Sequence, residues 1–408
     1  TLAGTGSITA NGGAGNVDGS GGGGGRIALY YTTDSSTLAA LSAYGGIADT
    51  SGSDTTIRFI TGGAGTLYKK AAANTNGDLI IDNNYQDPLQ DDMFMGKTPV
   101  TGTYTFNTLT VQHLGHLVLY TDSNLSYSTL SWSGSGVIED NNAGTFALVT
   151  SGGALDVPVT ARLYAHTART FTTGTVDGIL THGTNYTTQD YRINLTFSSL
   201  TLNPNSEVNV TGKGFYQGEG SGAGTDNDNG PGGGGYGGTG GSGVVSVLNG
   251  RPGGASYGSI TTPTDVGSGA GISNNYGGKG GGGVQFTVAN GLVINGNIRA
   301  NGQSADVGSA VDYGGGAGGS IYVDAGTISG TGNVVAQGGD SNVDGGAGGG
   351  GRIAAYFENN TTSLASLYAN GGTNESTTKP NFGGAGTLYL KADADTYGDL
   401  YIKNNDLD

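Results

Sequence analysis

The chain has 408 residues, a formal charge of −16 with only 16 Lys and Arg, 84 glycines and no cysteine. The lack of a basic stripe argues against a nucleic-acid partner, and the lack of cysteine removes disulfide staples, thiolate metal ligands and cysteine nucleophiles. No run approaches the roughly 18 apolar residues of a membrane-spanning helix.

Residues 1–84 form a glycine-rich module in which short strand-like runs (7–10, 27–31, 66–69 and 79–81) are separated by Gly and Asn. The stretch Ser35-Ser36-Thr37-Leu38-Ala39-Ala40-Leu41 has the composition for one helical turn. Residues 85–100 bring two prolines and an acidic cluster and read as a connector. Residues 101–215 are glycine-poor, with period-two runs at 106–111, 116–120, 127–132, 145–149, 191–197, 200–202 and 208–210. Residues 216–326 hold the densest glycine, around 231–241 and 277–283, each followed by a β run at 244–248 and 284–288. Residues 327–408 complete the chain as a second copy of residues 1–84.

That copy is read directly. Asn16-Val17-Asp18-Gly19 leads through five glycines to Arg26-Ile27-Ala28, and Asn342-Val343-Asp344-Gly345 leads likewise to Arg352-Ile353-Ala354, an offset of 342 − 16 = 326. Gly62 to Tyr68 matches Gly383 to Tyr389, and Gly77-Asp78-Leu79-Ile80-Ile81 matches Gly398-Asp399-Leu400-Tyr401-Ile402, an offset of 398 − 77 = 321. A third, degenerate copy of the pattern runs from Leu292 to Val323. Repeats on this scale point to a stacked architecture in which each unit contacts only its neighbours.

The fold expected is therefore all-β: a parallel β-helix or β-solenoid with long glycine-rich loops, with tandem β-sandwich domains as the second choice. An ordered glycine costs about 0.5–1 kcal/mol relative to alanine. So many are tolerated only where close chain approach requires them, and runs of four or more are expected to stack as extended polyproline-II-type strands.

From about residue 200 onward the order of motifs resembles a glycine-rich repeat of large secreted surface proteins of bacteria and archaea. The residues that carry it are Leu200 to Gly214, Pro231 to Gly243, Tyr257-Gly258-Ser259, Gly267-Ser268-Gly269, Gly318 to Tyr322, Gly350 to Ala354 and Gly383 to Lys391, and the likeness returns over 1–84. The resemblance implies an adhesin-like or fibre-forming role and brings no catalytic residues. Residues 85–200 fall outside it.

No catalytic, cofactor-binding or metal-binding residue is singled out. His113 and His116 have odd spacing, which on one strand places their rings on opposite faces, and surface or packing roles are expected. Asp226-Asn227-Asp228-Asn229-Gly230 begins like a calcium loop, but its glycine comes one place early and it lacks the closing Glu. Structural calcium is the only cofactor left open. The five glutamates (Glu139, Glu207, Glu219, Glu358, Glu375) show no clustering with Arg, Lys and Asp suited to polysaccharide cleavage. Gly267-Ser268-Gly269 lies in a glycine loop, not in a strand-to-helix nucleophile elbow. Asn124, Asn185, Asn194, Asn209, Asn359, Asn360 and Asn374 stand in acceptor motifs at about the frequency chance supplies. Arg26 and Arg352, matched across the copies, are expected either to bind backbone carbonyls or Asp18 and Asp344 or to stand as solvated rim charges. The expectation is an extracellular, non-enzymatic subunit or segment of a surface fibre, joined head-to-tail to further copies of the same repeat. Its upstream leader or sequence would have been removed, and surface glycans are a further candidate partner. A glycan- or ice-binding module using rows of Thr (Thr105, Thr108, Thr110) and Tyr, and a β-helix polysaccharide-degrading enzyme, are the alternatives.

Overall fold

The computed structural model describes residues 1–17, 19–49, 61–85, 96–141, 145–146, 153–227, 229–244, 251–274, 276–305, 312–342, 344–360, 367–374 and 381–404. Among them every regular element is a strand, and nearly all pairing is parallel. The fold is all-β with parallel sheets. The core of the expected connector and the expected strand at 245–248 lie outside the described residues. Ser35 to Leu41 makes no helical turn. Ala40–Ser42 is instead a strand pairing in parallel with Ser7–Thr9, because the β partner outweighs a weak local preference for helix.

The chain divides into two compact units, Thr1–Gly152 with Asp156–Thr167, and Gly153–Leu155 with Ala168–Asp408. In the first, one sheet runs in the order Arg26–Tyr31, Thr66–Ala71, Asp78–Asp82, Gly102–Gln112, Ser123–Trp132. A second contains Thr98–Pro99, His116–Leu119, Val137–Asp140 and Arg162–Ala165 in that order. The chain alternates between the sheets and returns one strand further along each time. Residue 102 thus lies opposite 123, and 116 opposite 137. Like side chains stack as a result. Leu79, Leu109 and Leu130 form one column, Ile81, Val111 and Trp132 another, and Leu117, Ile138 and Leu163 a third on the other sheet.

The second unit repeats this scheme. Arg169–Val176, Ile193–Leu202, Gly283–Ile294, Ser320–Ser329, Arg352–Asn360 and Thr387–Ala392 are parallel neighbours, and Asp399–Tyr401 adds an antiparallel edge. Ile179–Thr181, Glu207–Asn209, Asn297–Arg299, Asn333–Val335 and Leu367–Tyr368 form the other row. The runs at 191–197 and 200–202 are one strand, bent by an irregularity between Phe197 and Leu200. Ile193, Val284, Ile321, Ile353 and Leu388 stack in register, all buried. Each such side chain contributes about 1.5–3 kcal/mol on burial, and these columns set the register.

The glycine runs are not loops. Residues 345–351 are buried and extended, and they donate in rotation to three neighbouring segments. Gly346 and Gly349 donate to Pro231 and Gly234 (2.9 and 2.8 Å), and Ala347 and Gly350 to Asn381 and Gly384 (2.9 Å each). Gly348 and Gly351 donate to Gly339 and Ala336 (2.9 and 2.7 Å). A three-residue period with partners on three sides is the geometry of packed polyproline-II-type chains. It satisfies buried backbone groups that a loop would leave without partners. An added Cβ at Gly346, Gly348, Gly349 or Gly351 would overlap a neighbouring carbonyl oxygen, so glycine is required by the closeness of the chains.

Candidate functional site

The repeated module has the same bonds in both copies. Arg26 is opposite Thr66 and Arg352 opposite Thr387 in parallel pairs. Leu67, Tyr68 and Lys69 face Ile80, Leu79 and Asp78, as Leu388, Tyr389 and Leu390 face Tyr401, Leu400 and Asp399. Asn83 accepts from Gly45 N (2.7 Å) and donates to Gly62 O (3.2 Å), and Asn404 does the same with Gly371 (2.7 Å) and Gly383 (3.1 Å). The glycine run repeats too, with Gly22 donating to Gly13 and Gly25 to Ala10 where Gly348 and Gly351 donate to Gly339 and Ala336. Each Asn amide bridges two glycine backbones. This is why the sequence keeps it six residues after the Gly that opens the last strand.

The surroundings of the two copies differ. In the second copy Arg352–Asn360 lies between Thr387–Ala392 and Ser320–Ser329, whereas in the first Arg26–Tyr31 ends its sheet. Gly349 is buried against Gly234, but its counterpart Gly23 is exposed, and a Cβ there would meet only Gly63 O, at an ordinary contact distance of 3.9 Å. At the other side the relation reverses. Asp78–Asp82 is covered by Gly102–Gln112, and Leu79 and Ile81 are 5% and 0% exposed. Among the described residues Asp399–Tyr401 is the last strand of its sheet, and Leu400 and Ile402 are 48% and 64% exposed. Each copy therefore shows what fits the open side of the other.

Arg352 meets the expectation of backbone carbonyl ligands. It is buried, with Nε donating to Tyr257 O (3.0 Å), Nη2 to Tyr236 O (3.5 Å) and Nη1 to Thr387 Oγ1 (3.2 Å). Its guanidinium lies 5.5 Å from the Tyr236 ring centroid, a cation–π arrangement. Burial lowers its basicity and raises the phenol pKa values of Tyr236 and Tyr257. Arg26 is exposed. Identical residues at matched positions have unlike environments because, among the described residues, Tyr236 and Tyr257 cover Arg352 while Arg26 is exposed.

One buried ionic cluster has no counterpart in any sequence motif. Glu139 is buried and accepts from Lys97 Nζ (2.7 Å) and meets His116 Nε2 (3.0 Å), with His166 Nδ1 at 4.0 Å. Burial alone would raise the Glu139 pKa, but the bonds from His116 and Lys97 outweigh it and hold the carboxyl at about 2. His113 and His116 do not share a strand, contrary to expectation. His113 and Leu114 take left-handed turn geometry (φ 50° and 62°), and His113 pairs with Asp82 at 3.1 Å. Lys97, His116, Glu139 and His166 come from separate strands or turns, so no spacing rule finds them. The His116 ring and the carboxylate are covered, which suits bracing of neighbouring strands rather than contact with a substrate.

The remaining candidates lie apart. Asp226 Oδ1 accepts from Ile272 N (2.8 Å) and Asn227 Oδ1 from Asn229 N (2.8 Å), so Asp226 ties its segment to a distant one and Asn227 closes a local turn. Asp228 is outside the described residues. Among the described residues no three His, Asp or Glu side chains converge as metal ligands. Ser268 is buried, bonded to Gly222 N and the Tyr257 hydroxyl (2.9 Å each). Thr105, Thr108 and Thr110 lie opposite Ser126, Thr129 and Ser131, an array two strands wide. Asn185 and Asn374 are buried with their amides bonded, which closes them to glycan attachment in the folded chain.

No protein family, no curated protein and no solved structure matches the chain.

Proposed function

We propose that the chain is a parallel β-solenoid with a non-enzymatic, extracellular structural role, a subunit or segment of a repetitive surface fibre that extends end to end. The observation that carries this reading is the repeated module, bonded alike in both copies and open on opposite sides. Unpaired strand edges and uncovered apolar columns invite further strands. A repeat that lacks a partner on one side is completed by another repeat, and joining that does not close on itself gives an open filament. The charge of −16 keeps separate chains soluble and makes assembly salt-sensitive. Negative-stain microscopy over a range of salt and calcium concentrations tests the proposal. Fibres lengthening with salt are expected, and short isolated particles under every condition contradict end-to-end assembly.

A glycan-binding role is favoured by one observation. The surface pair Tyr30 and Tyr68 (5.7 Å between centroids) recurs as Tyr356 and Tyr389 (5.9 Å), the latter extended by Tyr322 at 5.8 Å. Glycan-array binding lost in Tyr30→Ala and Tyr356→Ala would support it, and an array without signal would remove it.

A further inference from the structure

The first copy of the module shows which segment completes its far side. Gly102–Gln112 runs parallel to Asp78–Asp82, with Leu79 opposite Leu109 and Ile81 opposite Val111. Both ends are clipped by acid groups. Asp78 Oδ1 accepts from Asn107 Nδ2 (3.0 Å) and Thr108 N (3.1 Å), and Asp82 Oδ2 accepts from Gln112 Nε2 (2.7 Å). The second copy keeps nearly all of this. Asp399, Leu400, Ile402 and Asn404 stand for Asp78, Leu79, Ile81 and Asn83. The strand's backbone is placed alike, by pairing with Thr387–Ala392 and by the Asn404 bridge. One position changes sign, because Lys403 stands where the first copy has Asp82.

We propose that the open strand Asp399–Tyr401 is a docking site for a parallel β-strand of the Gly102–Gln112 type, carrying an acidic side chain opposite Lys403. Main-chain bonds to the free edge supply affinity, and alternate side chains supply the register. Two apolar residues spaced as Leu109 and Val111 cover Leu400 and Ile402, and an amide side chain spaced as Asn107, with the backbone N–H one residue on, meets Asp399. The exchange of Asp82 for Lys403 selects a carboxylate in place of Gln112. This inference rests on reading the module ends as assembly surfaces and adds the identity of the segment.

The test adds a labelled synthetic peptide of residues 101–113, and its Gln112→Glu variant, to the full chain. Binding is read by fluorescence anisotropy and by amide exchange at residues 399–403. Capture with slowed exchange at 399–403 is expected, abolished by Leu400→Lys in the chain or by Leu109→Lys in the peptide. The Gln112→Glu peptide binds about two- to fivefold more tightly, the range of an exposed ion pair, and that gain disappears with Lys403→Ala. Unchanged exchange at 399–403, slowing that survives Leu400→Lys, or weaker binding of the Gln112→Glu peptide overturns the proposal. Fibres without peptide capture keep the assembly reading and remove this one, and capture without fibres does the reverse.

Discussion

Replacing Gly348 by alanine tests the physical basis of the glycine content. Its added Cβ would overlap the carbonyl oxygen of Gly316, so residues 345–351 must separate from the run ending at Gly319. Two bonds hold these segments together, Gly315 N to Gly346 O (3.0 Å) and Gly318 N to Gly349 O (2.9 Å). Losing each costs about 1 kcal/mol net, and more where the freed groups stay buried. Overpacking alone adds about 1–3 kcal/mol. The expected loss is about 3–5 kcal/mol, a fall in Tm of roughly 6–20 °C for a unit of this size. The control is Gly291→Ala, where nothing lies within 4 Å of the new Cβ. There the effect should fall within about ±1 kcal/mol, as reduced unfolded-state entropy offsets any strain. Thermal melts by circular dichroism compare the two. Equal melting temperatures for Gly348→Ala and Gly291→Ala would refute the argument that close packing dictates glycine.

Three further outcomes follow from the matched copies and the buried cluster. Arg352→Ala should lower stability by about 2–4 kcal/mol by leaving buried carbonyls unpaired, while Arg26→Ala, at the exposed counterpart, should change it by less than about 0.5 kcal/mol; chemical denaturation measures both, and similar costs would contradict the assigned environments. Asn83→Ala removes a bridge between Gly45 and Gly62 and should cost about 1–3 kcal/mol, read in the same assay, with an unchanged midpoint counting against it. Glu139 has a folded pKa of about 2 against an ordinary 4.5, so its stabilisation is complete above pH 4.5 and is lost as the pH falls toward 2. Melting curves from pH 6 to 2 should therefore fall more steeply for the wild type than for Glu139→Gln, and parallel slopes would contradict the buried pairing.

What the sequence makes legible is whatever is local or repeated. Period-two runs such as 106–111 and 284–288 mark strands because alternation follows from the pleat. The two copies are recognisable because their matched residues make matched bonds within the module, as Asn83 and Asn404 do. Extended packing of the glycine runs also follows, since only close contact requires so many residues without a Cβ. Partners distant in the chain are not legible. Nothing near Arg352 points to Tyr236 or Tyr257, and nothing near Glu139 points to Lys97. The strands Val137–Asp140 and Arg162–Ala165 went unread because they are short and bounded by ordinary residues. The open edges appear only when the covered copy is compared with the uncovered one.

Amide hydrogen exchange across residues 313–319 and 345–351 is the most direct measurement of the central claim that the glycine runs are ordered, bonded chains. Exchange as slow there as in the strands Ser320–Ser329 and Arg352–Asn360 is the predicted result. Exchange at the rate of an unstructured glycine peptide would contradict it.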